Sequence, residues 1–175
     1  MCLCGIWTVC PTKLQPGSVV NIAPMDSKLV SSNEVIGEVI RLLDTNPSVV
    51  LPVEGISMLP FIIGGREKVE LVKTDSIRLG DIVLAWVDGR RYVIHRVIGI
   101  DGDDIVLMGD GNLWGKEHCK RCNVAARADY VIGKNGRRRY LYTHSQRLGS
   151  QLWLKLRPLR RIILAVYKRT IMKIN

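Results

Sequence analysis

Six short segments rich in valine and isoleucine, each bounded by turn residues, limit the possible folds most strongly. They read SVVLPVEG, KVELVK, DIVLAWVDG, RYVIHRVIGI, DDIVLMGDG and DYVIGKNG, between residues 48 and 136. Asp88-Gly89 and Asp101-Gly102 stand between consecutive segments and are typical of hairpin turns. With one phenylalanine in the chain, the core must consist mostly of Val, Ile and Leu, which favour strands. The sequence therefore predicts a mainly β fold with a compact, twisted β core.

Helical patterns flank these strand segments. Before them, SSNEVIGEVIRLLDTNPS predicts an amphipathic helix that Ser32 or Asn33 caps and that Pro47 ends. After them, apolar residues recur every three or four positions: Leu152, Leu156, Leu159, Ile163 and Val166. Pro158 either kinks this second helix or begins another one.

Charge divides the chain unevenly. Of its 26 Lys and Arg residues, twelve lie within residues 134–175, which contain no Asp or Glu. The other 133 residues hold 14 basic and 16 acidic side chains, a net charge of −2. The body of the chain is thus nearly neutral and its tail, from residue 134, is the part suited to a negative surface. The predicted divisions are a domain over residues 25–140 and a basic helical extension over 141–175.

Residues 1–24 differ from the rest, since they hold three of the five cysteines and show no sustained period. They are either an irregular arm or an upstream segment that precedes a natural start at Met25. The first residues lack a basic leader, and no segment approaches the ~20 apolar residues that span a bilayer. We expect a cytoplasmic protein with reduced thiols, or one peripheral to the inner face of the cytoplasmic membrane.

Three residues supply the chemical types of a serine hydrolase. Ser57 lies where a strand segment meets a turn, His95 lies inside a strand segment, and Asp110 lies in a Gly-rich turn. A serine hydroxyl is a weak nucleophile that needs a neighbouring base, and a third group helps by fixing the tautomer of that base. Such triples of residue types are common, so their sequence context has to supply the specificity.

Four boxes supply that context over about residues 48–135. They are Gly55–Pro60 (GISMLP), Leu79–Val83 (LGDIV), His95–Ile98 (HRVI) and Gly109–Asn112 (GDGN). In composition, order and spacing they resemble the type I signal peptidase and LexA-like serine peptidase superfamily. A histidine before the arginine of the third box is similar to the Ser-His branch, the archaeal and endoplasmic-reticulum type.

The resemblance implies roles for individual residues. Ser57 would be the nucleophile, His95 the general base and Asp110 the third member. Glu117 is the alternative third member, because the endoplasmic-reticulum type has an acidic pair downstream of the Gly-Asp box, where this chain reads LWGKEHC. The resemblance also implies substrate contacts near Gly55, Met58 and Pro60, together with an oxyanion site of backbone N–H groups around Ser57.

Outside the four boxes, the chain departs from both signal peptidases and LexA-like proteins. It shows neither the spanning helix that usually precedes the serine of signal peptidases nor the DNA-binding domain of LexA-like proteins. The resemblance thus implies a serine endopeptidase, without cofactor or metal, that cleaves an extended segment of a protein or precursor peptide. The alternatives are an inactive peptide-binding module of the same fold and an adaptor that binds nucleic acid or membrane through its basic tail.

Two further features of the sequence have some of the residues of a binding site. Cys119 and Cys122 form a Cys-x-x-Cys beside His118, but a lone pair of this kind is weak support for zinc, so free thiols are expected. The tail lacks interleaved aromatics and any nucleic-acid reader motif, which disfavours nucleic acid. Trp153 among Leu, Ile and Arg suits a membrane surface, and the alternative is a helix packed on the core with its charges in water.

Overall fold

The computed structural model describes residues 19–21 and 32–172, which form a curled half-barrel sheet and three helices. The strands are β1 Val19–Asn21, β2 Ser48–Pro52, β3 Lys68–Val72, β4 Ile82–Val87, β5 Arg91–Asp101, β6 Asp104–Met108, β7 Glu117–Lys120, β8 Val124–Ile132 and β9 Arg138–Tyr140. The strand order is β1-β2-β3-β8-β4-β5-β6-β7, and β9 pairs with β8. Only the β1–β2 pair of these described strands is parallel. The prediction of a mainly β fold is confirmed.

The hairpin between β4 and β5 forms where the Asp-Gly pair predicts it. Asp88 and Gly89 have φ values of 53° and 65°, the left-handed conformation of both central residues in a type I′ turn. The backbone N–H of Arg90 donates to the carbonyl of Val87 at 3.0 Å. In the ladder that follows, Val83 pairs with His95 and Ile82 with Arg96. The turn therefore sets the register that places His95 opposite Val83 and Arg96 opposite Ile82.

Three strands went unpredicted, and one starts early. β8 begins at Val124, five residues before the segment expected to form it, while β1, β7 and β9 have no valine-isoleucine pattern of useful length. β7 reads Glu-His-Cys-Lys and buries only Cys119. Its charged residues suit a strand at the edge of the sheet, where one side has no partner strand. Its pairing with β6, and not its own composition, makes it a strand.

Helix α1 (Ser32–Thr45) covers one face of the sheet. Val39 and Leu43 of this helix are buried in the main core with Met58, Ile62 and further side chains of β2, β3, β4 and β8. A second core lies on residues of β4, β5, β6 and β7, including Val93, Val97 and Cys119. Val93 and Val97 face this second core, whereas Tyr92 and Ile94 pack against the main core, as strand alternation requires.

Two helices end the described chain, α2 (His144–Lys155) and α3 (Arg157–Met172). Thr143 caps α2, because its side chain accepts a hydrogen bond from the backbone N–H of Gln146. Pro158 lies in the first turn of α3, where its missing N–H costs nothing, so it begins a second helix. Within the described ranges, no helix is long and apolar enough to cross a bilayer.

The three divisions expected from sequence contain different elements of the structure. Val19–Asn21, inside the arm predicted to be irregular, forms β1 beside β2, and the other residues of 1–24 lie outside the described ones. The domain expected over residues 25–140 corresponds to α1 and β2 to β9 where it is described. The predicted helical extension over 141–175 contains α2 and α3.

Candidate functional site

The serine lies in the loop between β2 and β3. Two successive backbone N–H groups, those of Phe61 and Ile62, donate to the carbonyl of Met58 at 3.0 Å each, which coils the chain just after Ser57. Ser57 itself is half-buried. Met58 is 2% exposed and belongs to the main core, so its side chain anchors this loop. The other two expected substrate contacts remain accessible, since Gly55 is exposed and Pro60 is half-buried.

A second loop, Gly109–Asn112, holds the serine loop in place. The backbone N–H of Gly111 donates to the carbonyl of Ser57 at 2.7 Å. A Cβ atom at Gly109 would lie 2.5 Å from that same oxygen, closer than real Cβ atoms approach. Both glycines of the Gly-Asp-Gly box are thus needed for the approach of two backbones. Because Met108, the preceding residue, pairs with Arg96, this contact brings Ser57 to the end of the β5–β6 ladder.

His95 lies one residue beyond the same end of that ladder, and it forms a pair with Glu117 of β7. Nδ1 of His95 is in close hydrogen-bond contact with Oε2 of Glu117, and His95 is only 5% exposed. Oε1 of Glu117 accepts a hydrogen bond from Nη2 of Arg91 at 2.5 Å. An ionised carboxylate can only accept, so Nδ1 carries the proton and Nε2 of a neutral ring keeps its lone pair. The arrangement therefore presents the tautomer that a general base requires.

Asp110 has a different partner from the one expected. Its carboxylate receives Nε and Nη2 of Arg96 at 2.9 and 2.7 Å, and both side chains are at least 96% buried. Nη1 of Arg96 donates to the carbonyl of Gly80 at 2.8 Å. Successive residues of a strand point to opposite faces, so an acid placed to meet Arg96 cannot also meet His95. The carboxylate on the imidazole is that of Glu117, and Asp110 fixes the glycine loop to β5.

The structure thus joins the candidate residues in two groups. His95 meets Glu117, whereas Ser57 is joined through main-chain contacts to the loop that carries Asp110. Within residues 19–21 and 32–172, Ser57 Oγ and His95 make no hydrogen bond to each other. Catalytic hydrogen bonds are often longer without substrate and tighten in the complex.

The sequence singled out Ser57, His95, Asp110 and Glu117 but not Arg91. The signal that could have revealed Arg91 is its position four residues before His95 on one predicted strand, which puts both side chains on the same face. The acid to which both bind comes from β7, a strand that had no sequence signal.

The remaining thiols and histidines form no second site in the described residues. Cys119 is buried in the second core, and burial raises the pKa of its thiol to about 11, while Cys122 is exposed; neither is in a disulfide bond. His118 and His144 are exposed. No group of three or more His, Cys, Asp or Glu side chains that could hold a metal ion occurs among the residues described.

No protein-family model matches this sequence, and no curated protein matches it. The likeness to signal peptidases and LexA-like peptidases therefore stays a prediction from the four sequence boxes.

Proposed function

We propose that this protein is a serine endopeptidase that uses Ser57 as nucleophile and His95 as general base. The observation that carries the proposal is the buried contact between His95 Nδ1 and Glu117, at the end of the β5–β6 ladder from which the glycine loop extends to the half-buried Ser57. A buried imidazole with one nitrogen held by a carboxylate and the other available is the arrangement that activates a hydroxyl.

Each residue has a distinct part in the proposed reaction. Ser57 Oγ attacks the peptide carbonyl, while Nε2 of His95 accepts the hydroxyl proton and later gives it to the leaving amine. Glu117 holds the tautomer and stabilises the imidazolium, and Arg91 orients Glu117 through its other oxygen. Backbone N–H groups near Ser57 would stabilise the oxyanion. Asp110 and Arg96 fix the glycine loop to β5, and that loop holds the serine loop through the hydrogen bond from Gly111 to Ser57.

The substrate proposal follows from an open strand edge. β4 pairs with β5 from Arg91 to Arg96, but β6 pairs only with residues Arg96 to Asp101 of β5. Within the described residues, the other edge of Arg91–His95 therefore has backbone groups without a partner strand. An extended peptide can add to such an edge by main-chain hydrogen bonds, which would bring its carbonyl next to His95. The proposed substrate is an extended segment of a protein or of a precursor peptide.

The test compares cleavage by matched variants. The purified chain is incubated with a mixture of unfolded proteins, and new termini are identified by mass spectrometry. We expect Ser57→Ala and His95→Ala to abolish the cleavages, whereas Ser76→Ala, at an exposed serine in another loop, leaves them unchanged. Cleavage that persists in Ser57→Ala would overturn the proposed nucleophile.

A peptide-binding module without catalysis is the second candidate. That Ser57 Oγ and His95 make no hydrogen bond to each other in the described residues favours it, because the strand edge can bind a peptide whether or not the hydroxyl is activated. Under this alternative, peptides recovered with the wild-type chain are intact, and Ser57→Ala binds them with the same affinity. Cleaved peptides that depend on Ser57 decide for the enzyme.

A further inference from the structure

The side chain of Asn112 folds back across the glycine loop toward the serine loop. The position that a Cβ atom of Gly109 would occupy is 2.8 Å from Nδ2 of Asn112 and 2.5 Å from the carbonyl oxygen of Ser57. Two atoms that would both crowd the same carbon are close neighbours of each other. The Asn112 amide therefore lies beside the main chain of Ser57.

Two hydrogen bonds fix the main chain of Asn112. Its N–H donates to the carbonyl of Gly109 at 3.0 Å, which closes a tight turn, and its carbonyl accepts from Nη1 of Arg160 at 3.2 Å. Arg160 is 1% exposed, so the second bond comes from a buried side chain of α3. The amide of Asn112 is thus held from a fixed point of the backbone, which is the preorganisation that a group needs to stabilise a transition state.

The amide of Asn112 is also available as a donor. Nδ2 of Asn46 donates to the carbonyl of Leu42 at 2.9 Å, and Oδ1 of Asn135 accepts from the backbone N–H of Arg137 at 3.2 Å. The side chain of Asn112 makes no such bond to any residue in the described ranges. It is half-buried, so both N–H donors of a placed amide remain free beside the serine.

The proposed reaction needs a donor at this place. Its tetrahedral intermediate carries a negative oxygen, which is stabilised by donors about 2.7–3.1 Å away. In the described part of the chain, the backbone N–H of Ser57 makes no hydrogen bond, so it can be one donor. The acid of the same loop, Asp110, has both oxygens on Arg96 and does not compete for the amide of Asn112. A neutral amide next to Ser57 therefore suits the second position.

We propose that Nδ2 of Asn112 donates a hydrogen bond to this oxyanion, together with the backbone N–H of Ser57. The inference rests on the proposed peptidase function and adds a catalytic residue to it. When Ser57 Oγ bonds to the peptide carbon, the π electrons of the carbonyl move to its oxygen, and the hydroxyl proton passes to Nε2 of His95. The carbonyl then re-forms, the C–N bond breaks, and the proton leaves His95 with the amine.

Kinetics on a defined peptide test this role. The bond that the wild type cleaves fastest in the mixture of unfolded proteins is placed in a fluorogenic peptide. We expect Asn112→Ala to lower kcat by roughly 10²–10³-fold with little change in KM, because the oxyanion does not exist in the bound substrate. A peptide aldehyde with the residues before the cleaved bond forms a tetrahedral adduct with Ser57, and its affinity should fall by a similar factor.

Asn123→Ala, at a half-buried asparagine in the turn after β7, is the matched control and should leave kcat unchanged. Asn112→Asp keeps the shape but replaces the donor by an acceptor, so it should lower kcat at least as far as Asn112→Ala. Amide hydrogen exchange at Gly111 should be the same in the wild type and Asn112→Ala.

The outcomes separate this inference from the proposed function. An unchanged kcat in both Asn112 variants overturns the oxyanion role and leaves Ser57 and His95 as the catalytic pair. A lower kcat with faster exchange at Gly111 also overturns it, in favour of a structural role in the glycine loop. A wild type that cleaves nothing, or cleavage that persists in Ser57→Ala, overturns the peptidase proposal and this inference with it.

Discussion

Adjacent residues of β5 each bind a carboxylate, with different consequences. His95 points toward Glu117, and Arg96 points toward Asp110 on the opposite face. The first pair has an imidazole whose second nitrogen is available for chemistry. The second pair is buried, and both oxygens of the Asp110 carboxylate accept hydrogen bonds from Arg96, which suits a structural role. Substitutions at the two acids should therefore separate activity from stability.

Glu117→Gln should reduce kcat for peptide cleavage by roughly 10²–10⁴-fold, since an amide no longer enforces the tautomer of His95. KM and the thermal midpoint should change little. Steady-state kinetics measure the effect, and the ¹⁵N chemical shifts of the His95 ring report the tautomer without requiring activity. Glu54→Gln, at an exposed glutamate near the serine loop, is the control. An unchanged kcat would remove Glu117 from the proposed mechanism.

Asp110→Asn should instead destabilise the fold by about 3–5 kcal/mol, because it leaves the guanidinium of Arg96 buried without its counter-ion. Urea unfolding measures this change. Asp44→Asn removes the partner of Lys73 in an exposed ion pair and should cost no more than about 1 kcal/mol. Equal effects of the two substitutions would contradict the structural role of Asp110.

At the scale of elements, α2 is bonded directly to the glycine loop of the site. Nε1 of Trp153 donates to the carbonyl of Asp110 at 2.8 Å, and the indole packs edge-on against Phe61. The helical extension therefore supports the loop that holds Ser57. This contact gives α2 a structural role in the domain, in addition to any role in binding.

Trp153→Phe keeps an aromatic ring but leaves the Asp110 carbonyl without its donor, which should cost about 1–3 kcal/mol. We expect a lower thermal midpoint and faster amide hydrogen exchange at Gly111 and Asn112. Trp114→Phe, at a tryptophan that is 88% exposed, should change neither quantity. If exchange in the glycine loop is the same in both variants, α2 does not support the site.

For the whole molecule, a buried carboxyl makes stability depend on pH. Asp81 is 4% exposed, and burial raises its pKa above the usual 3.8 although the backbone N–H of Arg78 and nearby arginines oppose the shift. The folded state thus binds this proton more tightly than the unfolded state. The stabilising contribution of Asp81 is fully present below the unfolded pKa and is lost as pH rises through the folded pKa.

Asp81→Asn removes this titration with little change of shape. We therefore expect the unfolding free energy of the wild type, relative to the variant, to increase as pH is lowered from about 7 to about 4. Urea unfolding at several pH values measures the difference. The exposed Asp75→Asn serves as control. A relative free energy that falls on acidification would contradict the raised pKa.

Local sequence determined the elements that depend on neighbouring residues. The β4–β5 hairpin follows from the Asp-Gly turn and the alternation of its flanks, and Pro158 begins α3 because proline fits only the first turn of a helix. The Gly-Asp-Gly box signals a close backbone approach, although not what approaches. The four sequence boxes make Ser57, His95 and Asp110 the candidates, with Glu117 as the alternative to Asp110.

Tertiary structure alone decided which partners these residues meet. β7 is a strand only because β6 pairs with it, so no local pattern could show that Glu117, and not Asp110, reaches His95. The exposure of Leu152, Leu159 and Ile162 likewise depends on which side of α2 and α3 packs against the serine and glycine loops. Periodicity specifies that a helix has an apolar side, but packing between residues about a hundred positions apart decides whether that side is buried.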